Sequence, residues 1–222
     1  MKDMMKKVWD EYGWLLVVTS AVILVQTVVG VVLWDRLPDT IVTHFDVNGE
    51  PNGYSSKTFT VFGMPLLMLA LQAACLLMTC SNNHKLSSTD PRIRRLSIYI
   101  IPAISLLVST MTYGHALGTE LNVRRASLVF IGVLVCVLGN YMPKIRHNYT
   151  TGIKLPWTLA DEEVWDKTHR LTGPVWMIGG LLLLVCGVMD TGFLLPGLVL
   201  FNLIAIPTVY SMSAYMKKYK DK

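Results

Sequence analysis

Apolar residues fall in six long runs, at residues 14–33, 59–80, 96–117, 126–142, 174–189 and 192–214. A helix needs about 20 mostly apolar residues to cross the hydrocarbon core of a bilayer. The connections between runs are rich in Pro, Gly, Asn, Asp or charge, as turns are. The pattern predicts an all-α integral membrane protein of six transmembrane helices. It also predicts one membrane domain over residues 1–222, with an outer loop at 34–58 and an inner segment at 139–173.

Within these segments, Thr40–Phe45 alternates weakly and fits a short strand. Asn48-Gly49 and Asn52-Gly53 are turn pairs, so residues 34–58 read as a compact ordered loop with little regular structure. The inner segment carries a helical pattern at 159–172. Thr158 suits its N-cap, Asp161, Glu162 and Glu163 its first turn, and Gly173-Pro174 its end. Val164, Trp165, Thr168, Leu171 and Thr172 share one face, and Asp166 and Arg170 are spaced to pair. The expectation is an amphipathic helix on the inner membrane surface before the fifth span, with Trp157 and Trp165 at the interface. It would be an interfacial anchor or a docking surface.

Composition agrees: 52% hydrophobic, 16% charged, mean hydropathy +0.45. Soluble domains carry about 25% charged residues. The net charge of +5 suggests nucleic acid until its residues are placed. Sixteen of the 20 Lys and Arg fall in the N-terminal tail, the loops at 81–95 and 143–173, and the C-terminal tail. Six spans put these four segments on one side, which the positive-inside rule makes cytoplasmic. Both termini are expected there, with anionic lipid as the partner and no direct nucleic acid binding. The first run is too long for a signal peptide and lacks a small-x-small site, so it reads as a retained anchor. Cys75, Cys80, Cys136 and Cys186 lie in apolar runs and read as free thiols.

Known chemistry is sparse. There is no His-Glu-x-x-His, Gly-x-Ser-x-Gly or phosphate loop. Asp46-x-Asn48-Gly49-Glu50 resembles a fragment of a calcium loop without its length or distal Glu. Side chains capping their own turn explain it more simply. His44 is a local hydrogen-bonding group or a ligand contact. Gln26, Gln72, His115, Asn140 and Asn202 are polar within spans, where burial is costly, and interhelix hydrogen bonding is the simplest role. Gly114-x-x-x-Gly118 permits close helix contact, and Pro65, Pro102 and Pro207 would kink spans. A small transporter or channel using Gln26, Gln72, His115 and Asn202 remains an alternative. So does a membrane enzyme using His169 with Asp161 or Glu162, or a metal held with His147.

The string Gly152-Ile153-Lys154-x-Pro156-Trp157-Thr158-Leu159, then Glu162 or Glu163, Val164-Trp165 and Thr168-His169-Arg170, resembles the signature of the SdpI family. These are six-span bacterial membrane proteins named after an immunity protein against a secreted toxin. Gly139-Asn140, Pro143-Lys144 and Asn148 extend the match upstream. Lys154 departs from it, since Arg is expected there; the charge stays but the bidentate fork is lost. The string Leu37-Pro38, His44-Phe45, Asn48-Gly49, Gly53 and Ser56-Lys57 resembles a domain of unknown function often found ahead of this family.

The resemblance implies a non-enzymatic cell-membrane protein, without a cofactor, that gives immunity to a secreted peptide toxin. It further implies signal transduction, with a soluble transcriptional repressor recruited to the membrane. Toxin contact is expected at His44, Phe45, Asp46, Asn48 and Tyr54. Regulator docking or interfacial support is expected at Asn140, Gly152, Pro156, Trp157, Thr158, Glu162, Trp165, His169 and Arg170.

Overall fold

The structure, a computed structural model, describes residues 2–80 and 91–219. His84, Lys85, Lys220 and Lys222 lie outside the described residues, as do the side chains of Lys2, Lys7, Cys80 and Arg92. The chain forms α1 (Lys2–Val32), a hairpin of β1 (Thr40–Phe45) and β2 (Pro51–Ser56), and a π-helical turn at Phe59–Gly63 leading into α2 (Met64–Cys80). Then come α3 (Pro91–Ala116), α4 (Val123–Tyr141), α5 (Pro156–Ala160), α6 (Glu162–Met189) and α7 (Leu194–Tyr219).

Among the described residues, six segments are long and apolar enough to cross a membrane: Val8–Val32, Phe59–Met78, Ile93–Ala116, Val123–Lys144, Glu162–Met189 and Leu194–Tyr219. They match the six runs in order. The chain divides into two compact units.

The first unit holds α1, the hairpin, α2 and α3 from Arg94 on. Tyr12, Leu76 and Ile98 form one buried cluster. Three polar side chains inside this unit find partners on a neighbouring helix, which apolar surroundings favour. Gln72 Nε2 donates to Thr19 Oγ1 at 2.6 Å, Ser105 Oγ to Gln26 Oε1 at 2.7 Å, and Tyr113 Oη to the Gln26 carbonyl at 3.2 Å. The loop at 34–58 is more regular than the sequence suggests. β1 falls where the alternation placed it, and β2 pairs with it antiparallel from Thr40↔Ser56 to Phe45↔Pro51. Gly53 stands opposite His44, where a Cβ would come 2.7 Å from the His44 Cβ. Leu37 and Ile41 seat the hairpin's foot against Val61 and Tyr113.

The second unit holds α4 from Arg125 on, and α5, α6 and α7. Its helices approach through glycine. A Cβ on Gly139 would lie 3.0 Å from the Gly173 carbonyl oxygen, and one on Gly132 2.8 Å from that of Gly180. A Cβ on Gly187 would lie 3.1 Å from the carbonyl of Arg125. The two series run in opposite directions in steps of seven, an antiparallel pair in which small residues bring backbones together. The expected glycine contact was elsewhere. Gly114-x-x-x-Gly118 instead forms the end of α3, with Gly118 at φ +77° and nothing within 4 Å of its Cβ position.

The expected separate amphipathic helix is corrected in the same unit. Residues 162–172 are the first turns of α6, continuous with the fifth span through Gly173 and Pro174. Gly173 is a packing residue, since its Cβ would sit 2.6 Å from Pro143 Cγ. Pro174 removes one helical N–H and crowds the Arg170 carbonyl, and α6 nonetheless runs on through it. A 28-residue helix is about 42 Å long, beyond the roughly 30 Å of hydrocarbon. Its first turns therefore project past the apolar layer.

Candidate functional site

The segment at 139–173 folds as a clamp. After α4 the chain makes a tight turn at Met142–Lys144 and returns over the start of α6. Asn148, buried, shapes the return. Its Oδ1 accepts the N–H of Thr150 at 2.8 Å and of Thr151 at 2.7 Å. Its Nδ2 donates to the carbonyls of Arg146 and Thr151. Thr158 Oγ1 donates to the Ile153 carbonyl at 2.7 Å and accepts the Leu155 N–H at 2.9 Å, closing the N-terminus of α5.

Trp165 and His169 occupy the centre, four residues apart on α6. Their rings stack at 4.1 Å and 22°. Trp165 is 0% exposed, and its Nε1 donates to the Ile145 carbonyl at 2.9 Å. His169 Nδ1 lies 2.9 Å from the Trp165 carbonyl, and Nε2 accepts the Ile153 N–H at 3.0 Å. A ring nitrogen facing an N–H must be unprotonated, so His169 is the Nδ1–H tautomer with both nitrogens engaged. Gly152, at φ +121°, lies against this stack. A Cβ there would collide with His169 Nε2 and come 2.9 Å from the Trp165 ring. Thr168 and Thr172 line the same face, their hydroxyls returned to carbonyls one turn back at 2.7 Å.

Asp161 joins the clamp to α7. It is the N-cap of α6, accepting the Val164 N–H at 3.0 Å. Thr158 was expected there, but its hydroxyl is committed to Ile153 and Leu155. Lys218 Nζ reaches Asp161 at 2.8 Å and Glu163 at 2.7 Å, and Tyr219 Oη reaches Asp161 at 2.8 Å. The Lys218 hydrogen bond, with those from Val164 and Tyr219, holds the Asp161 carboxyl well below the usual range. The sequence offered Lys218 only as topology charge, and nothing in the local pattern points to Tyr219.

The expected inner residues therefore split. Trp165, His169 and Thr158 are buried, Gly152 and Trp157 half-buried, and Asn140, Pro156, Glu162 and Arg170 exposed. Trp165 is corrected from an interfacial to an interior residue, because the loop at 145–160 covers it. Trp157 donates its Nε1 to Ser211 Oγ on α7 at 2.8 Å. Lys167 pairs with Glu163 at 2.6 Å, and among the described residues no Asp166–Arg170 pair forms. Asp161 lies eight residues before His169, about 12 Å along the helix, so the two do not converge. The His147 ring lies tilted against Trp165 at 5.1 Å, with its Nε2 3.1 Å from the Leu159 carbonyl.

The polar span residues differ in burial. Gln26 and Gln72 are buried, whereas His115, Asn140 and Asn202 are exposed. Asn202 donates back to the Leu198 carbonyl of its own helix at 2.8 Å.

On the hairpin, Asp46 Oδ1 accepts the N–H of Asn48 at 2.8 Å and of Glu50 at 2.9 Å. These bonds, Glu50's above all, hold its carboxyl below the usual range. The acidic string is thus a turn capped by its own side chain. His44 Nδ1 meets Asn52 Oδ1 at 2.5 Å. Phe45 packs edge-on against His115 at 5.4 Å. Asn48 is exposed, and Tyr54 stands 60% exposed at the hairpin's surface.

The clamp and hairpin coincide with two known sequence families. Residues 144–211 match the SdpI/YfhL protein family. Residues 21–69 match a domain of unknown function, DUF1648. The SdpI segment contains the whole clamp from Ile145 to His169, and the DUF1648 segment contains the whole hairpin. The resemblance carried by the Pro-Trp-Thr-Leu and Val-Trp…Thr-His-Arg strings therefore holds. The chain is also similar to "Immunity protein SdpI" of Bacillus subtilis (strain 168), 25% identical over 210 residues, covering 92% of this chain and 95% of that protein. No solved structure matches the chain.

Proposed function

We propose that this chain is a multi-pass membrane immunity protein that protects its cell against a secreted peptide toxin. The observation that carries this is the end-to-end similarity to Immunity protein SdpI, over 92% of one chain and 95% of the other. A match of that extent is too long to rest on the inner motif alone. The whole chain acts as one membrane domain, with both termini in the cytoplasm, as the distribution of Lys and Arg favours. Toxin contact then belongs to the outer hairpin, at His44, Phe45, Asp46, Asn48 and Tyr54.

Regulation is the finer part of the proposal. A soluble transcriptional repressor docks on the exposed flank of the inner motif, at Glu162 and Arg170 with Asn140 and Pro156 nearby in sequence. Trp165, His169, Thr158 and Gly152 support that flank from within. The protein performs no covalent chemistry, a reading supported by the engagement of both His169 nitrogens with backbone groups.

Survival of toxin-sensitive bacteria tests the proposal. Cells expressing this protein, matched for membrane level with an unrelated six-span protein, are challenged with the secreted peptide toxin. Specific protection is the expected result. Equal killing at equal expression overturns the immunity reading.

A further inference from the structure

We propose that the last span, α7, is the seam of a homodimer, along which a second copy of this chain packs with the two Asn202 side chains hydrogen-bonded to each other.

The helix has two sides. Pro196, Val199, Leu203, Pro207 and Ser211 are buried. Leu198, Asn202, Val209, Met212 and Met216 are exposed, and Ala205 is half-buried. At 3.6 residues per turn this second set lies opposite the first. Its members recur in alternating steps of four and three, the spacing of a left-handed helix pair. From Leu198 to Met216 the seam runs about 27 Å, close to the roughly 30 Å of hydrocarbon. Contact with lipid accounts for its apolar members and leaves Asn202 unexplained.

Asn202 stands near the middle of the apolar run 192–214. A primary amide carries two N–H donors and an oxygen that accepts. Among the described residues Asn202 makes one hydrogen bond, from Nδ2 to the Leu198 carbonyl of its own helix at 2.8 Å. One N–H and Oδ1 are left over. Hydrocarbon offers them no partner, and an amide facing it is costly. Thr208, on the same helix, differs: it spends its hydroxyl hydrogen on the Ile204 carbonyl at 2.8 Å.

A partner for Asn202 must offer both an acceptor and a donor at the same depth. A second copy does so by symmetry. Copies inserted in one orientation pair about a two-fold axis along the membrane normal, which sets each residue level with its own copy. The amide is self-complementary, so each Asn202 gives its spare N–H to the Oδ1 of the other. Ala205, next along the seam, lets the two backbones approach. A single Asn within such a seam also fixes the register of the pair.

Cross-linking in native membranes tests the seam. Ala205→Cys and Val209→Cys lie on it; Leu200→Cys and Ile204→Cys are exposed positions off it. Each is placed in the otherwise native full-length chain, whose own thiols set the background. A membrane-permeant oxidant should give a covalent dimer several-fold above background at both seam positions and at neither of the others. Energy transfer between two labelled populations in liposomes, diluted with lipid, then measures dissociation. Asn202→Leu should raise the dissociation constant roughly 3–30-fold, the range of an interhelical hydrogen bond in a membrane. Asn202→Gln, which keeps the amide, should recover part of that loss. Equal cross-linking at all four positions, none at the seam, or a seam adduct with a different protein overturns the proposal. So does an unchanged dissociation constant in Asn202→Leu. If that variant does not reach the membrane, the cysteine series decides.

Discussion

The indole Nε1 of Trp176 donates to the carbonyl of Leu203 at 2.9 Å, across two neighbouring spans. Leu203 lies four residues before Pro207, which has no N–H to give it. Trp176 therefore supplies from α6 the donor that α7 lacks, the kind of repair that lets proline sit inside a span. Trp176→Phe should destabilise the protein by about 1 kcal/mol. Adding Pro207→Ala should recover part of that loss, because the carbonyl regains a helical partner. Thermal unfolding of the two single variants and the double variant checks this coupling. Strictly additive effects would show that the bond carries none of it.

Gly152 makes a sharper prediction about the clamp. Its φ of +121° suits glycine alone, and its missing side chain leaves room for the Trp165–His169 stack. Gly152→Ala should cost about 1–3 kcal/mol from the backbone, and more from collision with His169. Membrane level and melting temperature should both fall, and by more than for Ala at the neighbouring exposed Lys154.

The spans were legible because lipid imposes one rule on long segments, and hydropathy reads that rule directly. The first strand was legible for a similar reason, since Thr40–Phe45 alternates. β2 was not, because Pro51, Asn52 and Gly53 resemble turn residues and become strand only by pairing with β1. Gly173-Pro174 carries the local signal of a helix end. It was overruled by Gly139 and Pro143, which need a residue without a side chain beside them. The SdpI string was recognisable, but which of its members face inward was not. Burial of Trp165 and His169 depends on a backbone N–H 16 residues upstream, at Ile153, and no periodicity within α6 reports that return. Asp161 illustrates the same limit, since two of its partners lie on α7.

Acid should loosen the Asp161 junction. Its carboxyl is held below the usual range by Lys218, Val164 and Tyr219. A depressed carboxyl stabilises the fold at pH values above the unfolded figure, about 3.9. That stability is lost as pH falls through the folded value. Asp161→Asn keeps an N-capping oxygen but gives up the charge facing Lys218. The variant should melt lower than wild type at pH 7, with the gap narrowing towards pH 3. Asp46 titrates in the same direction in both proteins, so its contribution cancels and the gap reads Asp161 with the Lys218 it shares with Glu163. A gap that stays constant with pH would mean the charge contributes nothing.

Hairpin and clamp should separate in function. Tyr54 is 60% exposed, so Tyr54→Ala should change stability by less than about 0.5 kcal/mol. If the hairpin meets the toxin, that variant should still lose protection at least several-fold at unchanged membrane level. Burial of an exposed aromatic side chain is a common source of binding energy. If a repressor docks on the exposed flank of α6, Arg170→Ala should keep full protection while weakening that recruitment, read by membrane co-fractionation of the repressor. The opposite pattern, with protection lost at Arg170 and kept at Tyr54, would move toxin recognition to the inner motif.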